Sequence, residues 1–279
     1  MPVTLVVLGA GDLGGAVADR AAQSPVIHRV ILVDDATDVA RGKALDIRQA
    51  GPVRGGGAAI EGTSDLSAAV GAAVVVLADR HGGAGEWRGD DAVRQLVAVR
   101  TLAPEALLLC AGGSQLDVVD RLVLERGASP RRVAGTAPEA LRSAATALTA
   151  LQANVSPRDV SLTVLGRRPA LFVPWSGASI AGVSAPERLD PPALTRLEAR
   201  LARVWPPGPL SLAAAVIRAV DLALSEAPGV AVLHVVPQGA TPSSGLALPV
   251  RLGRKGVGGT EVPPLAPKDR VRLDAAFAG

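Results

Sequence analysis

The 279-residue chain has no tyrosine, two phenylalanines and three tryptophans, so aromatic residues make up only 2% of it. A core so poor in rings must be filled by aliphatic side chains, and the platforms on which single-stranded nucleic acids stack are missing. Its one cysteine, Cys110, excludes an internal disulfide and fits a reducing compartment. No apolar run approaches the roughly 20 residues of a membrane span. An apolar strand starts at Val3 with no basic leader before it, so a cytoplasmic protein without a secretory segment is expected. Lysine is nearly absent: with only Lys43, Lys255 and Lys268, 29 − 3 = 26 of the basic residues are arginine. The net charge of +3 forms no basic stripe; its densest spots are Arg131/Arg132 and Arg167/Arg168, and no nucleic-acid partner is expected. The three histidines and single cysteine show no metal-ligand spacing.

What is present is an ordinary globular balance, 48% hydrophobic and 20% charged, in a chain long enough for a large core. Near-continuous apolar strands are expected at 3–9, 29–34, 72–79, 106–110 and 131–135. Helical patterns fall between them at 14–23, 38–50, 90–102 and 116–127. That alternation predicts a parallel sheet covered on both faces. At Thr136 the pattern changes. "TAPE" reads as a Thr-x-x-Glu capping box opening a helix over 137–153. Two strands, "VSLTVLG" and "ALFVPW", follow; then helices over 191–205 and 211–225, strands over 230–236 and 245–253, and a short final helix. The expected architecture is an N-terminal doubly wound parallel sheet over residues 1–136 and an α+β second domain over 137–279.

"VLGAGDLGGAVAD" carries Gly9-x-Gly11-x-x-Gly14 between an apolar strand and a helix. Gly9 permits the tight turn, Gly11 lets a pyrophosphate approach the backbone, and Gly14 lets helix and strand pack closely. The turn Gly9, Gly11, Asp12, Leu13 and Gly14 is thus a candidate phosphate cradle of the Rossmann kind, offering free N–H groups and a positive dipole end. Asp34 ends the second strand 20 residues after Gly14, where a carboxylate receives ribose hydroxyls and disfavours a 2′-phosphate. Asp35 could take the same role. The expected cofactor is NAD. The bland alternative is a glycine-rich turn with no ligand beside a solvated aspartate.

With that turn and "ILVD", the segments "RGKALDIRQAGPV", "EGTSDLSAAVGAAVVVLA", "NVSPRDVSLTVLG" and "LPVRLGRKGV" resemble the lactate/malate dehydrogenase family. The likeness runs through nearly the whole chain, which is shortened at "VWPPGPLSL" and after "VLHVVPQG". The family, as the resemblance implies, moves a hydride between NAD(H) and a small 2-hydroxy or 2-oxo acid. It uses a histidine for the proton, an aspartate behind it, an arginine fork for the carboxylate and a loop arginine that polarises the carbonyl.

Each position can be read here. The histidine's Gly-Gly-His-Gly-Asp turn corresponds to Gly166-Arg167-Arg168-Pro169-Ala170, with Arg168 in the histidine's place; a guanidinium does not give up its proton. The Asp-x-x-Arg pair falls on Leu141 and Ala144 without gaps, or on Glu139 and Arg142 after a two-residue slip. The Asn-Pro-Val-Asp turn reads Ser114-Gln115-Leu116-Asp117, with Ser114 a candidate contact to the nicotinamide ribose. The loop "DRHGGAGEWRGDD" has Gly89 where the arginine belongs and Arg88 one residue away. Arg80 and His81 at its base are candidates to face the nicotinamide. His234, inside an apolar strand, reads as a satisfied core residue, and His28 lies away from any site. No catalytic residue is secure; the candidates are Arg88, Arg142, Arg168 and His81. The reading is an NAD(H)-binding relative with its acid/base unit replaced, non-catalytic or strongly impaired, and a homo-dimer or tetramer. The alternative is an active oxidoreductase on a different anionic acid, bound by Arg168, Arg167, Arg142 and Arg88.

Overall fold

The computed structural model describes residues 2–83, 85–237 and 244–278. The shortening expected after "VLHVVPQG" lies outside the described residues. Among the described residues no helix is long and apolar enough to cross a membrane.

Strands β1 (Thr4–Leu8), β2 (Arg29–Val33), β3 (Ala59–Thr63) and β4 (Val74–Leu77) form the first half of the main sheet. A two-stranded hairpin follows directly, β5 (Asp79–Arg80) with β6 (Gly85–Glu86), and then β7 (Leu107–Cys110) and β8 (Val133–Gly135). Short strands β9 (Val160–Ser161), β10 (Ser179–Ile180) and β11 (Val183–Ser184) make a separate three-stranded sheet. β12 (Gly229–Val235), β13 (Leu246–Gly253) and β14 (Gly256–Thr260) complete the main one. Its order is β14-β13-β12-β8-β7-β4-β1-β2-β3, parallel from β3 to β8 and antiparallel from β12 to β14. β12 joins β8 at His234 and Gly135, so one sheet runs through both halves of the chain.

The helices are α1 (Asp12–Ala22), α2 (Thr37–Arg54), α3 (Gly89–Leu102), α4 (Leu116–Leu124), α5 (Ala137–Ala153), α6 (Ala185–Arg188), α7 (Pro191–Leu201), α8 (Pro209–Leu224) and α9 (Pro267–Ala278). In β1, Leu5 and Val7 turn to one face and pack with α1 and α8, whereas Val6 and Leu8 turn to the other with α3 and α4. All four are buried, which is why the strand reads as an unbroken apolar run. Each such side chain contributes about 1.5–3 kcal/mol by leaving water. A third cluster joins α5 and α7 under the segment 160–180.

Because β1 lies between β2 and β4, its two neighbours are reached in opposite directions, and the carboxyl ends of β1 and β4 flank the switch-point crevice. Gly9 follows β1 and Asp79 follows β4, so these two residues line that crevice.

Three local expectations need correction. "VSLTVLG" and "ALFVPW" are not two regular strands: beyond β9 only Leu165 pairs with Phe172 and Gly166 with Ala247. The run is apolar because it walls a cavity, not because it joins a ladder. Gly166 at φ +104° turns this segment back on itself. The capping box does not form either. The Thr136 hydroxyl makes no cap bond and lies buried without a partner, because Glu139 N–H donates to the Thr136 carbonyl, and the Glu139 carboxylate turns inward to Arg142, Arg218 and Val232 N–H. Thr136→Val should therefore raise the melting temperature by roughly 2–4 °C, the equivalent of about 1 kcal/mol. A lowered melting temperature in calorimetry would show that the hydroxyl is bonded after all. Finally, the helix expected to reach residue 205 ends at Leu201, leaving Trp205 and Pro206 in the link to α8.

Candidate functional site

The crevice is built from three backbone turns, each with N–H groups aimed at the same space. At the first, Gly9 adopts φ +109° and α1 starts at Asp12. A side chain on Gly14 would drive its Cβ to 1.8 Å from the Gly9 carbonyl oxygen, so helix and strand close on each other there. Leu13 N–H and Gly14 N–H are the free donors of this helix end. Both donate to the Asp79 carboxylate, at 3.2 and 2.8 Å. Gly11 N–H donates to the Asp79 carbonyl at 2.9 Å, and a Cβ on Gly11 would sit 2.3 Å from Asp79 Oδ2. Lys43 Nζ donates to the Gly11 carbonyl at 2.6 Å, bringing a cation to the same turn.

The second turn carries Asp34, which is buried. Its Oδ2 accepts from Ala10 N–H at 2.7 Å and from His81 N–H at 3.2 Å, and its Oδ1 from Ala36 N–H at 2.9 Å. Asp35 is exposed. The third turn, Gly112–Gln115, is pinned by Gln115, whose side chain accepts from Gly112 N–H and donates to the Ala78 carbonyl. Gly113 N–H and Ser114 N–H donate to the Glu86 carboxylate at 3.1 and 2.7 Å, and the Ser114 hydroxyl bonds it too. Above this turn, Pro206 and Trp205 pack so closely on Gly113 that a methyl group there would lie 2.7 Å from Pro206 Cβ.

In this arrangement the residues do not fit a bound dinucleotide. The donors that would hold its pyrophosphate hold Asp79, the Asp34 carboxylate is satisfied by backbone N–H groups, and the Ser114 turn is satisfied by Glu86. The β5–β6 hairpin supplies both intruding carboxylates.

On the other side of Trp205 opens a cavity of about 500 Å³. Leu141, Phe172 and Leu201 form apolar wall, and Arg168, Arg272 and Glu198 bring charge to it. Arg168 lies over the Trp205 ring at 5.4 Å and Arg272 over Phe172 at 4.1 Å, each guanidinium on an aromatic face. Glu198 accepts from Trp175 Nε1–H at 3.1 Å. Among the described residues Arg168 has no acidic partner, which leaves its planar fork free for an anion.

The sequence candidates disperse. Leu141 and Arg168 both line the cavity. Glu139 and Arg142 do not reach it: they pair with each other through two hydrogen bonds, 2.6 and 2.9 Å, and Glu139 faces β12. Arg88 is exposed just before α3. His81 uses its backbone, not its ring, and does so at Asp34; Arg80 stacks on Trp87 at 4.7 Å. Neither is among the residues lining the cavity around Arg168. Asp12 is exposed at the start of α1. His234 is a satisfied core residue, its Nε2 2.7 Å from Asp120, and His28 Nδ1 accepts from Val3 N–H. The Cys110 thiol is buried, and burial pushes its pKa up, so it offers no thiolate. Asp79, Glu86, Lys43, Trp205 and Arg272 went unnoticed as site residues. Of these, only Asp79 has a local signal, a carboxylate ending an apolar strand at its carboxyl edge.

No protein-family model matches the chain. It is similar to the malate dehydrogenase of Sorangium cellulosum, 35% identical over 207 residues, which are 70% of this chain and 66% of that protein. The malate dehydrogenase of Thermomicrobium roseum is 32% identical over 177 residues, 60% of this chain and 57% of its own. The matched region thus spans less than two thirds of these relatives, 66% of the first and 57% of the second. Among solved structures, Cryptosporidium parvum malate dehydrogenase superposes with a TM-score of 0.85, covering 100% of this chain and 96% of its own at 17% identity. The lactate dehydrogenase of the same organism, complexed with lactic acid and NAD, gives 0.84 with 100% and 95% covered at 20% identity. The sequence likeness to malate dehydrogenases, carried on a fold that matches throughout, means that the chain belongs to the lactate/malate dehydrogenase family.

Proposed function

We propose that this protein is a non-catalytic or strongly impaired member of its family, one that retains a cleft for NAD(H) but not the means to move the proton. The observation that carries this reading is the pairing of Leu141 and Arg168 on one cavity. At the places where the family sets an aspartate and a histidine stand an alkyl group and a guanidinium. Neither takes up and returns a proton near neutral pH. Losing that unit removes the mechanism and not merely its speed. Domain division at about residue 136, with residues 1–136 for the dinucleotide and 137–279 for the acid and for subunit contacts, belongs to the same proposal. So does assembly into a homo-oligomer: α2 buries only Ala40 and Ala44 within the chain and leaves Leu45 and Val53 exposed.

A steady-state assay with NADH and either oxaloacetate or pyruvate should show no oxidation above the protein-free rate. Turnover with either acid ends the reading. A second reading has one specific observation in its favour, the free Arg168 beside Arg272 in a cavity of about 500 Å³. It makes the protein an oxidoreductase for a bulkier anionic 2-oxo or 2-hydroxy acid. NADH oxidation with one of a panel of such acids, lost in Arg168→Gln, would establish it in place of the first.

A further inference from the structure

We propose that the β5–β6 hairpin is an internal occupant of the dinucleotide cleft, with Asp79 standing in for the pyrophosphate and Glu86 closing the Ser114 turn. The inference rests on the dinucleotide reading above and adds how that site is regulated.

Three independent contacts carry it. A carboxylate and a phosphate oxygen ask for the same partners, N–H groups at a helix N-terminus, and Asp79 takes two of them at α1. His81 N–H occupies Asp34 Oδ2, the face a ribose hydroxyl would need. Glu86 takes the N–H groups of Gly113 and Ser114, 27 and 28 residues away in the chain. The hairpin also has its own anchor, since Trp87 is buried and Arg80 stacks on its ring. The contacts come from both strands of one hairpin, so a single displacement would release all three turns. The glycine at position 11 keeps its meaning: its open side receives an anion, but here that anion belongs to the chain.

A dinucleotide then binds only by displacing Asp79, and its apparent affinity is reduced by the fraction of molecules in which the hairpin stays in place. The charge of Asp79 matters as well as its bulk, because an ionised carboxylate beside the cradle repels the pyrophosphate.

The test is NADH titration, by calorimetry and by nicotinamide fluorescence, of the full chain and of Asp79→Ala and Asp79→Asn. Removing a charge-assisted contact of this kind should tighten NADH binding by roughly tenfold to a hundredfold in Asp79→Ala. Asp79→Asn keeps the side chain's size and should tighten it by several-fold, and it carries the test should the alanine variant lose its fold by circular dichroism. Equal NADH affinity in the parent and the folded variants overturns the hairpin's role and leaves the dinucleotide reading standing. No binding in the parent or in any folded variant overturns both.

Discussion

Glu139→Ala is expected to lower stability by about 3–4 kcal/mol and the melting temperature by roughly 6–15 °C. The carboxylate is buried, and its two oxygens accept three hydrogen bonds and face one more cation. Arg142 donates through Nε at 2.9 Å and Nη2 at 2.6 Å and Val232 through its backbone N–H at 2.9 Å, while Arg218 Nε forms an ion pair with it at 2.8 Å. These partners lie on α5, α8 and β12, so one side chain ties the first helix of the second half to the antiparallel end of the sheet. Alanine leaves the Arg142 guanidinium, three-quarters buried, without its counter-charge, and the Val232 N–H without an acceptor. Arg142 in turn holds its proton more tightly than usual, because Glu139 accepts two of its hydrogen bonds. The comparison with Glu139→Gln and Arg218→Ala locates the effect. Glutamine keeps an acceptor and should cost about 1–2 kcal/mol, and Arg218, half exposed, about 0–1 kcal/mol. Chemical denaturation of the three variants checks this order. A Glu139→Ala variant as stable as the parent would mean that the cluster does not join these elements.

Gly14→Ala should be about as damaging, about 3 kcal/mol or more with a melting temperature lower by roughly 6–12 °C. Its Cβ would lie 1.8 Å from the Gly9 carbonyl oxygen and 2.8 Å from the carbon, and both are backbone atoms held by β1. Nothing flexible can move aside, so the start of α1 must shift away from the sheet. The loss is expected without any dinucleotide present. Gly42, exposed on α2 with nothing within 4 Å of an added Cβ, supplies the control, and Gly42→Ala should be neutral or slightly stabilising. Thermal unfolding of both variants in the absence of NADH separates the two origins of the glycine pattern. If Gly14→Ala unfolds like the parent, the glycine serves a ligand and not the closure of helix on strand.

That second case bears on how much a glycine motif says. Gly9-x-Gly11-x-x-Gly14 is legible because a tight turn, an open side and a close approach each exclude a side chain. Two of those three demands come from the fold itself. The third, at Gly11, requires only that some anion approach, and the motif cannot say whether the anion is a cofactor or Asp79. Asp34 poses the same difficulty. Its place at the end of β2 marks it as an acceptor, but three backbone N–H groups, two of them within two residues of other cleft elements, already satisfy it. The failed capping box at Thr136 is likewise a case of one local partner losing to several distant ones.

Short-range pattern was sufficient for the parallel half of the sheet. The strand runs are apolar at every position because helices cover both faces, and this requirement acts residue by residue along the chain. It was sufficient, too, for the strand–turn–helix at Gly9. The contents of the cleft were beyond it. Asp79 meets Leu13 and Gly14 across 66 and 65 residues, Glu86 meets Ser114 across 28, and Trp205 reaches Gly113 from the link before α8. Those encounters are settled by sheet order, which brings the carboxyl end of β4 beside that of β1, and by where chain connections of particular lengths can land. Periodicity reports which face of an element is buried. It carries no information about which distant carboxylate arrives at a given N–H group, and that arrival decides whether the crevice is open to a dinucleotide.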